Sequence, residues 1–334
     1  MRGYRGTIVG MIKPLAFLGA LCVAAGLIAA EPKKELVGDP KAVAAVDYSI
    51  TRPIGLKAAA AAEKLGWRLG SQAYTLRDRT LLEALDALHG IGIVYVECYP
   101  GQAVSKDIKG PDNKPVGFGP GMTPEATEAV KKKLDETGIK ILSFGVTGIP
   151  ADEAGAKKFF EWAKTWGMER IVSEAPAKQF PAIEKAAAEV GIEVALHNHP
   201  EPNIYGKPEK VLEALKTYQG TRIGSCADIG HWQRSGVKPV EGLKALEGHV
   251  FEFHFKDLDV FGDRKAKDVP WGTGKGDVAA VLEEVKHQKG KIGGLTGKPT
   301  FNIEYETGNG TALVANMAKC VEWFGTQCEQ LSAK

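Results

Sequence analysis

Apolar and polar positions alternate over short runs, and stretches of helical period separate the runs. The clearest run is VFEFHFKD, residues 250–257, where Phe251, Phe253 and Phe255 alternate with Glu252, His254 and Lys256. Successive side chains of a strand point to opposite faces, so one face is aromatic and the other carries an acid, an imidazole and an amine. TFNIEYE (300–306) repeats the pattern, with Phe301, Ile303 and Tyr305 against Asn302, Glu304 and Glu306. Further strands are predicted at 68–74, 93–100, 140–148, 170–175, 193–199 and 222–228. Helical patterns lie at 80–90, from the Thr123 cap to Gly138, and at 151–167, 180–191, 208–218, 239–248, 276–288 and about 310–330.

Eight strand–helix pairs in strict alternation imply a parallel sheet. In one continuous segment they favour an α/β fold of the closed (β/α)8 TIM-barrel type over an open doubly wound sheet. The first strand leads into GSQAYTLRD, which contains neither a dinucleotide fingerprint nor a P-loop. The barrel is expected over residues 66–330, preceded by an Ala/Lys/Pro-rich arm or short helix at 31–65. One face of each barrel strand meets the helices and the other faces the lumen. Phe251, Phe253 and Phe255 are therefore expected outward, and Glu252, His254 and Lys256 inward. So many inward polar groups are unfavourable unless they are paired or bind something.

The first thirty residues differ from the rest. Arg2, Arg5 and Lys13 precede the uncharged run PLAFLGALCVAAGLIAA, which ends in Ala29-Ala30 before Glu31-Pro32. A basic start, an apolar middle and small residues at the end form the pattern of a secretory signal peptide. Residues 1–30 are read as such a signal, cleaved near Ala30, so a periplasmic or extracellular location is expected. The alternatives are an uncleaved anchor, for which the 17 residues from Pro14 to Ala30 are short, and a lipoprotein at Cys22, where Leu21 stands in place of a small residue. No later stretch is long and apolar enough to span a membrane.

Cleavage would remove three cations and no anion, taking the formal net charge from +2 to −1. A near-neutral surface offers no electrostatic reason to bind nucleic acid. Cys98, Cys226, Cys320 and Cys328 remain. The last two are separated by about 12 Å of helical rise, too far to bridge. The other two lie in apolar strand patterns, and all four are read as buried free thiols.

The predicted strand ends collect potential ligands. HNH offers His197 and His199 on one face, DIGH offers Asp228 and His231, and the last two strands offer His254 and Glu304. Active sites of barrels lie at the C-terminal ends of strands. A mixed set of nitrogen and oxygen ligands suits one divalent ion, Mn²⁺ foremost, or Zn²⁺, Co²⁺ or Fe²⁺, better than Mg²⁺ or Ca²⁺. A single strand-end histidine is more often a structural, hydrogen-bonded residue, so the argument rests on the combination.

In combination the segments ALHNHPEP, CADIGHWQRSG, FEFHFKDLDV, WGTGKGDV and FNIEYE resemble the xylose isomerase-like TIM-barrel superfamily, the sugar phosphate isomerase/epimerase group. GSQAYTLRD and VECYPGQ fit it too, and the resemblance covers about residues 66–328. It implies a metal held by Asp228, His254 and Glu304, with His231 beside them. Many relatives place a metal-binding glutamate where this chain has His197, and the inosose dehydratase branch shares the H-x-H pair. In ketose epimerases the two metal-bound glutamates also move protons. Losing one puts that scheme in question, and Glu174 at the end of the fourth strand is the candidate substitute.

Such a site removes a proton beside a carbonyl. Isomerisation, epimerisation and elimination all begin that way. Glu304 is the candidate ligand and base, and Lys256 the candidate oxyanion partner, with an ion pair as its plainer reading. His199, His231 and Glu97 are candidate substrate contacts, and Tyr74 and Trp232 candidates to stack on a sugar. The expected activity is that of a sugar isomerase or epimerase acting on an unphosphorylated sugar, since export and the lack of an arginine cluster argue against phosphate. The alternatives are a lyase or hydratase acting on keto-sugars or 3-keto-glycosides, and a non-catalytic sugar-binding barrel. A DNA-repair endonuclease shares the framework, but the charge argues against it. The partner expected is a small-molecule sugar; self-association into a homo-oligomer is left open.

Overall fold

The computed structural model describes residues 46–218 and 220–334. The signal-peptide reading of residues 1–30, and most of the arm before Tyr48, fall outside them. Helix α1 (Tyr48–Lys64) is capped by Asp47, whose carboxylate accepts the Ser49 amide. Its buried alanines, Ala58, Ala61 and Ala62, let it lie against the C-terminal helix.

The barrel strands are β1 (Arg68–Gln72), β2 (Tyr95–Cys98), β3 (Lys140–Phe144), β4 (Arg170–Ser173), β5 (Glu193–His197), β6 (Ile223–Asp228), β7 (Val250–Phe255) and β10 (Thr300–Ile303). Between the last two come the short antiparallel strands β8 (Asp257–Leu258) and β9 (Asp268–Val269). The helices that follow α1 are α2 (Leu81–Gly90), α3 (Pro124–Thr137), α4 (Glu153–Thr165), α5 (Phe180–Val190), α6 (Pro208–Lys216), α7 (Ile229–Arg234), α8 (Pro239–Ala245), α9 (Val278–His287) and α10 (Gly310–Ala333).

The eight barrel strands are all parallel and close in the order β1-β10-β7-β6-β5-β4-β3-β2. This is the (β/α)8 barrel expected from the alternation. The strands are shorter than predicted at their C-terminal ends. Glu174, His199, Lys256 and Glu304 stand one or two residues beyond regular pairing, in the loops at the mouth.

The outer face of the last strands is aromatic. Phe253 and Phe301 stack with centroids 4.8 Å apart, Phe324 of α10 lies 5.1 Å from Phe301, and Trp271 lies 4.7 Å from Phe255. Phe251 does not join them. The β6–β7 register shifts between Ser225 and Cys226, so Phe251 becomes an extra residue on β7. Its ring lies inside the barrel with Val172, Ala195 and Cys226. A Cβ on Gly224 would come within 2.4 Å of that ring, so glycine there makes the space. The outward expectation for Phe251 is thus corrected by the bulge.

Below Phe251 the floor is closed by an ion pair. Arg170 Nε lies 3.0 Å from Glu193 Oε2, and Glu193 Oε1 accepts the Leu295 amide at 2.6 Å. All four described cysteines are buried and unbridged. Among the described residues no helix is long and apolar enough to cross a membrane.

Candidate metal and sugar site

Four neighbouring strands, β5, β6, β7 and β10, deliver His197, Asp228, His254 and Glu304 to one point at the mouth. One ligand atom from each lies within 4.8 Å of the others, and all four residues are buried. Their positions follow from register: His197 pairs with Cys226, Asp228 with His254, and His254 with Asn302. Partners in parallel strands share a face, so these side chains, and Glu304 two residues after Asn302, enter the lumen in successive layers.

Each histidine is aimed by a carboxylate. His254 Nε2 lies 3.0 Å from Glu97 Oε2, which leaves Nδ1 facing Glu304 Oε2 at 2.9 Å. His197 Nδ1 lies 3.2 Å from Glu174 Oε1, which leaves Nε2 facing Asp228 Oδ2 at 3.5 Å. Donation of the outer N–H to a carboxylate is the arrangement that fixes a metal-ligating imidazole in the right tautomer. His197 Nε2 is buried without a hydrogen bond, whereas His254 Nδ1 and Lys256 Nζ satisfy Glu304 Oε2. An orphaned buried nitrogen is costly, and two imidazole nitrogens converging with two carboxylate oxygens are a donor set that fits a divalent cation.

Charge at the centre is balanced by Lys256. Its Nζ is 2.9 Å from Asp228 Oδ2, 2.8 Å from Glu304 Oε2 and 3.1 Å from Glu306 Oε2. Burial alone would lower its pKa, but the three carboxylates hold it well above the usual lysine value, so it is a protonated donor and no base. Burial likewise opposes ionisation of Asp228, yet His231, Lys256 and His197 keep it well below the usual range. Glu304 is lowered for the same kind of reason, with His254 and Lys256 outweighing burial. Burial disfavours charge on His254, but Glu304 and Glu97 raise it well above the ordinary imidazole value. Burial pushes His231 well below that value.

Glu174, just after β4, bonds His197 at the end of the neighbouring β5 and His199 and Asn203 beyond it, the last at 2.9 Å. Against burial, those bonds lower its pKa. His199 is half exposed and Tyr74 is 40% exposed at the rim, its ring edge-on to Tyr99. These are placed where a substrate could reach them.

Two sequence readings are corrected. Trp232 is completely buried, its ring against Gly242 of α8, so it is a packing residue and no stacking platform. It follows His231 on α7, about 100° further round the helix, which turns it from the mouth to the core. Glu97 is completely buried beneath His254, where Gln72, Ser143 and Asn302 also bond it. It holds His254 and, being buried, does not face a substrate.

The sequence reading also missed groups. Arg234, three residues after His231, bonds Glu306 at 2.9 Å and lies 3.0 Å from His231 Nδ1. The spacing in DIGHWQR puts both on one helical face, a signal that was available. A cleft of about 770 Å³ beside the cluster is lined by His199, His231, Arg234 and Glu306, and by Arg264, Lys265 and Lys267 of the β8–β9 loop. The two arginines are remote in sequence, so the absence of an arginine cluster read along the chain does not hold in space.

A closed parallel barrel with a His/Asp/Glu cluster at the C-terminal mouth defines a class of barrel in which small-molecule chemistry is done at strand ends. Residues 174–294 match the family model described as xylose isomerase-like TIM barrel. The resemblance read from the motifs is borne out.

Among solved structures, an uncharacterized protein from Parabacteroides distasonis is 29% identical, with a TM-score of 0.58, covering 79% of this chain and 99% of its own. A xylose isomerase-like TIM barrel protein from Mycobacterium smegmatis, in complex with magnesium, is 12% identical with a TM-score of 0.58, covering 79% and 97%. The 3-keto-D-glucoside 4-epimerase YcjR from E. coli is 14% identical with a TM-score of 0.52, covering 78% and 99%. The last two likenesses concern the fold. No curated protein matches the sequence.

Proposed function

We propose that this chain is a divalent-metal-dependent sugar isomerase or epimerase. The observation that carries the reading is the convergence of four buried ligand residues at the barrel mouth, with His197 Nε2 lacking a hydrogen bond. His197, Asp228, His254 and Glu304 would hold the ion; Mn²⁺ is the first choice, with Zn²⁺, Co²⁺ or Fe²⁺ as alternatives. Bound there, it would polarise a carbonyl and acidify the neighbouring C–H.

The protein's own groups divide the remaining work. Lys256, protonated and fixed by two carboxylates, donates to the oxygen on which charge develops. Glu97 and Glu174 keep the imidazole lone pairs turned toward the centre. Glu304, held as a carboxylate by His254 and Lys256, serves better as a ligand than as a strong base. The Glu174–His199 pair stands at the open side, where proton transfer to and from carbon can occur. His199, His231 and Tyr74 line the substrate's approach.

The N-terminal pattern supports an exported enzyme, and with it an unphosphorylated sugar, as the working assignment. Self-association is no part of this mechanism. Elimination from a keto-sugar is the second reading, favoured by His197: an imidazole replaces one of the carboxylates that would shuttle protons in epimerisation.

Protein loaded with Mn²⁺ in D₂O, given a ketose or a 3-keto-glycoside, separates the readings. Deuterium uptake with an isomeric product supports isomerase chemistry, and release of the aglycone supports elimination. Neither outcome, in protein that holds about one ion per chain by mass spectrometry, overturns the enzyme reading and leaves a sugar-binding barrel. A sugar phosphate arm tests the cations Arg264, Lys265 and Lys267.

A further inference from the structure

The mouth carries a second cleft that the mechanism above does not use. It lies between the loops after β3 and β4, measures about 390 Å³, and is lined by Val146, Ile149, Ser173, Glu174, Pro176 and Gln179, among others. It has one charged wall residue, Glu174, whereas the first cleft has four cations. Glu174 is the boundary between them: it lines the second cleft and also bonds His197 and His199. Both volumes fall in the range of about 300–1,000 Å³ typical of small-molecule sites.

We infer that the site takes a two-part substrate, a keto-sugar over the metal-ligand cluster and its glycosidic substituent in the less charged cleft between the β3 and β4 loops. The inference rests on the proposed sugar chemistry and specifies its substrate. A monosaccharide needs only the first cleft, where His199, His231 and Glu306 reach it. Val146, Ile149 and Pro176 offer the second an apolar surface suited to the C–H face of a pyranose or to an aromatic aglycone. Glu174, on the wall of the second cleft, bonds His197 of the cluster, so the bond between the two parts would lie beside the reacting carbon.

Gly148 supplies the test. A Cβ there meets nothing within 4 Å, so Gly148→Trp can fill the cleft without displacing the chain. The probes are phenyl 3-keto-glucoside and free 3-keto-glucose, titrated calorimetrically into the Mn²⁺-loaded full chain. The wild type is expected to bind the glycoside about tenfold more tightly, about 1.4 kcal/mol. Gly148→Trp should erase that difference and leave free-sugar affinity within roughly twofold. Val146→Ser, which removes apolar surface from the cleft wall, should weaken the glycoside alone by about threefold to tenfold and carries the test if the tryptophan variant loses its metal. Equal affinity for the two probes, or variants that weaken both equally, would overturn the second subsite while leaving the sugar reading intact. Binding of metal but of neither probe would sink both.

Discussion

Glu97→Gln isolates the orientation of His254 from everything else at the site. Four donors converge on the Glu97 oxygens. Gln72 Nε2 lies 2.8 Å from Oε1, and His254 Nε2 at 3.0 Å, Ser143 Oγ at 3.3 Å and Asn302 Nδ2 at 3.3 Å share Oε2. A glutamine amide keeps only one acceptor, so its NH₂ must face a donor. If it faces Gln72, that side chain cannot turn over to accept: its oxygen holds the Tyr74 amide at 2.8 Å and its nitrogen the Gly145 carbonyl at 2.8 Å. If it faces His254, Nε2 must accept, the ring proton moves to Nδ1, and the ligand lone pair is lost. The first route strands a buried donor at about 1–3 kcal/mol. The second reaches the metal, where loss of an orienting carboxylate costs about 10–100-fold in affinity, or about 1.4–2.7 kcal/mol. Calorimetric titration with Mn²⁺ and Zn²⁺, beside a thermal melt, reads both. A folded Glu97→Gln protein that keeps both its melting temperature and, within roughly twofold, its metal affinity would refute the assignment of Glu97 as the group that orients His254.

Burial and the neighbouring Glu97 raise Glu252 to about 7, so the folded protein binds its proton more tightly than the unfolded chain does. Stability should therefore fall as pH rises from about 4.5 to 7, by up to about 3 kcal/mol; Glu252→Gln should flatten that slope in denaturant melts, and an unchanged slope would count against it. A Cβ on Gly230 would meet the Lys256 stem at 2.6 Å. Gly230→Ala should thus lower turnover by about tenfold or more with metal affinity little changed, and parallel losses would contradict the donor role of Lys256. Arg170→Met leaves Glu193 buried without its cation on the barrel floor, at a cost of about 3–5 kcal/mol in urea melts, while metal stoichiometry stays intact. Because Glu304 and Glu97 keep His254 protonated in the metal-free protein, ion uptake should release about one proton, and affinity should fall as pH drops; calorimetry in buffers of different ionisation enthalpy that shows no proton release would exclude His254 Nδ1 as a ligand.

The barrel was legible because its strands state their two faces in a period of two and its helices end on clear signals, such as Thr123 at one end of α3 and the left-handed Gly138 at the other. Where the code is weaker, the reading lost detail. The stretch before β1 is alanine-rich with little contrast between faces, so a 17-residue helix read as an arm or short helix. Strands β8 and β9 have two residues each, too short for periodicity to register. Phe251 follows the alternation in sequence and breaks it in space, because a bulge is a property of two strands and alternation of only one. The gathering of His197, Asp228, His254 and Glu304 could be anticipated, since strand ends in a barrel must meet. The support beneath it could not. Glu97 lies 157 residues from His254, and only closure of the barrel puts β2 across the lumen from β7.

His197 changes the electrostatics of the site as well as its ligand set. Asp228 and Glu304 carry two negative charges and Lys256 one positive. With neutral imidazoles, a bound divalent ion would leave the site one positive charge in excess of the same site with a carboxylate at position 197. The excess favours a substrate that becomes an anion during reaction, because the attraction is strongest where water is excluded and costs no reorganisation when the charge appears. The same replacement removes a carboxylate that could have carried the proton. The gain in anion stabilisation and the loss of a base therefore come from one residue. In the proposed mechanism the base comes from outside the ligand set, and Glu174 with His199 is a titratable pair that borders the cluster on the open side of the mouth. That pair also walls the second cleft, through Glu174. What occupies the cleft thus bears on where the proton goes, which ties the choice between isomerisation and elimination to the substituent the sugar carries.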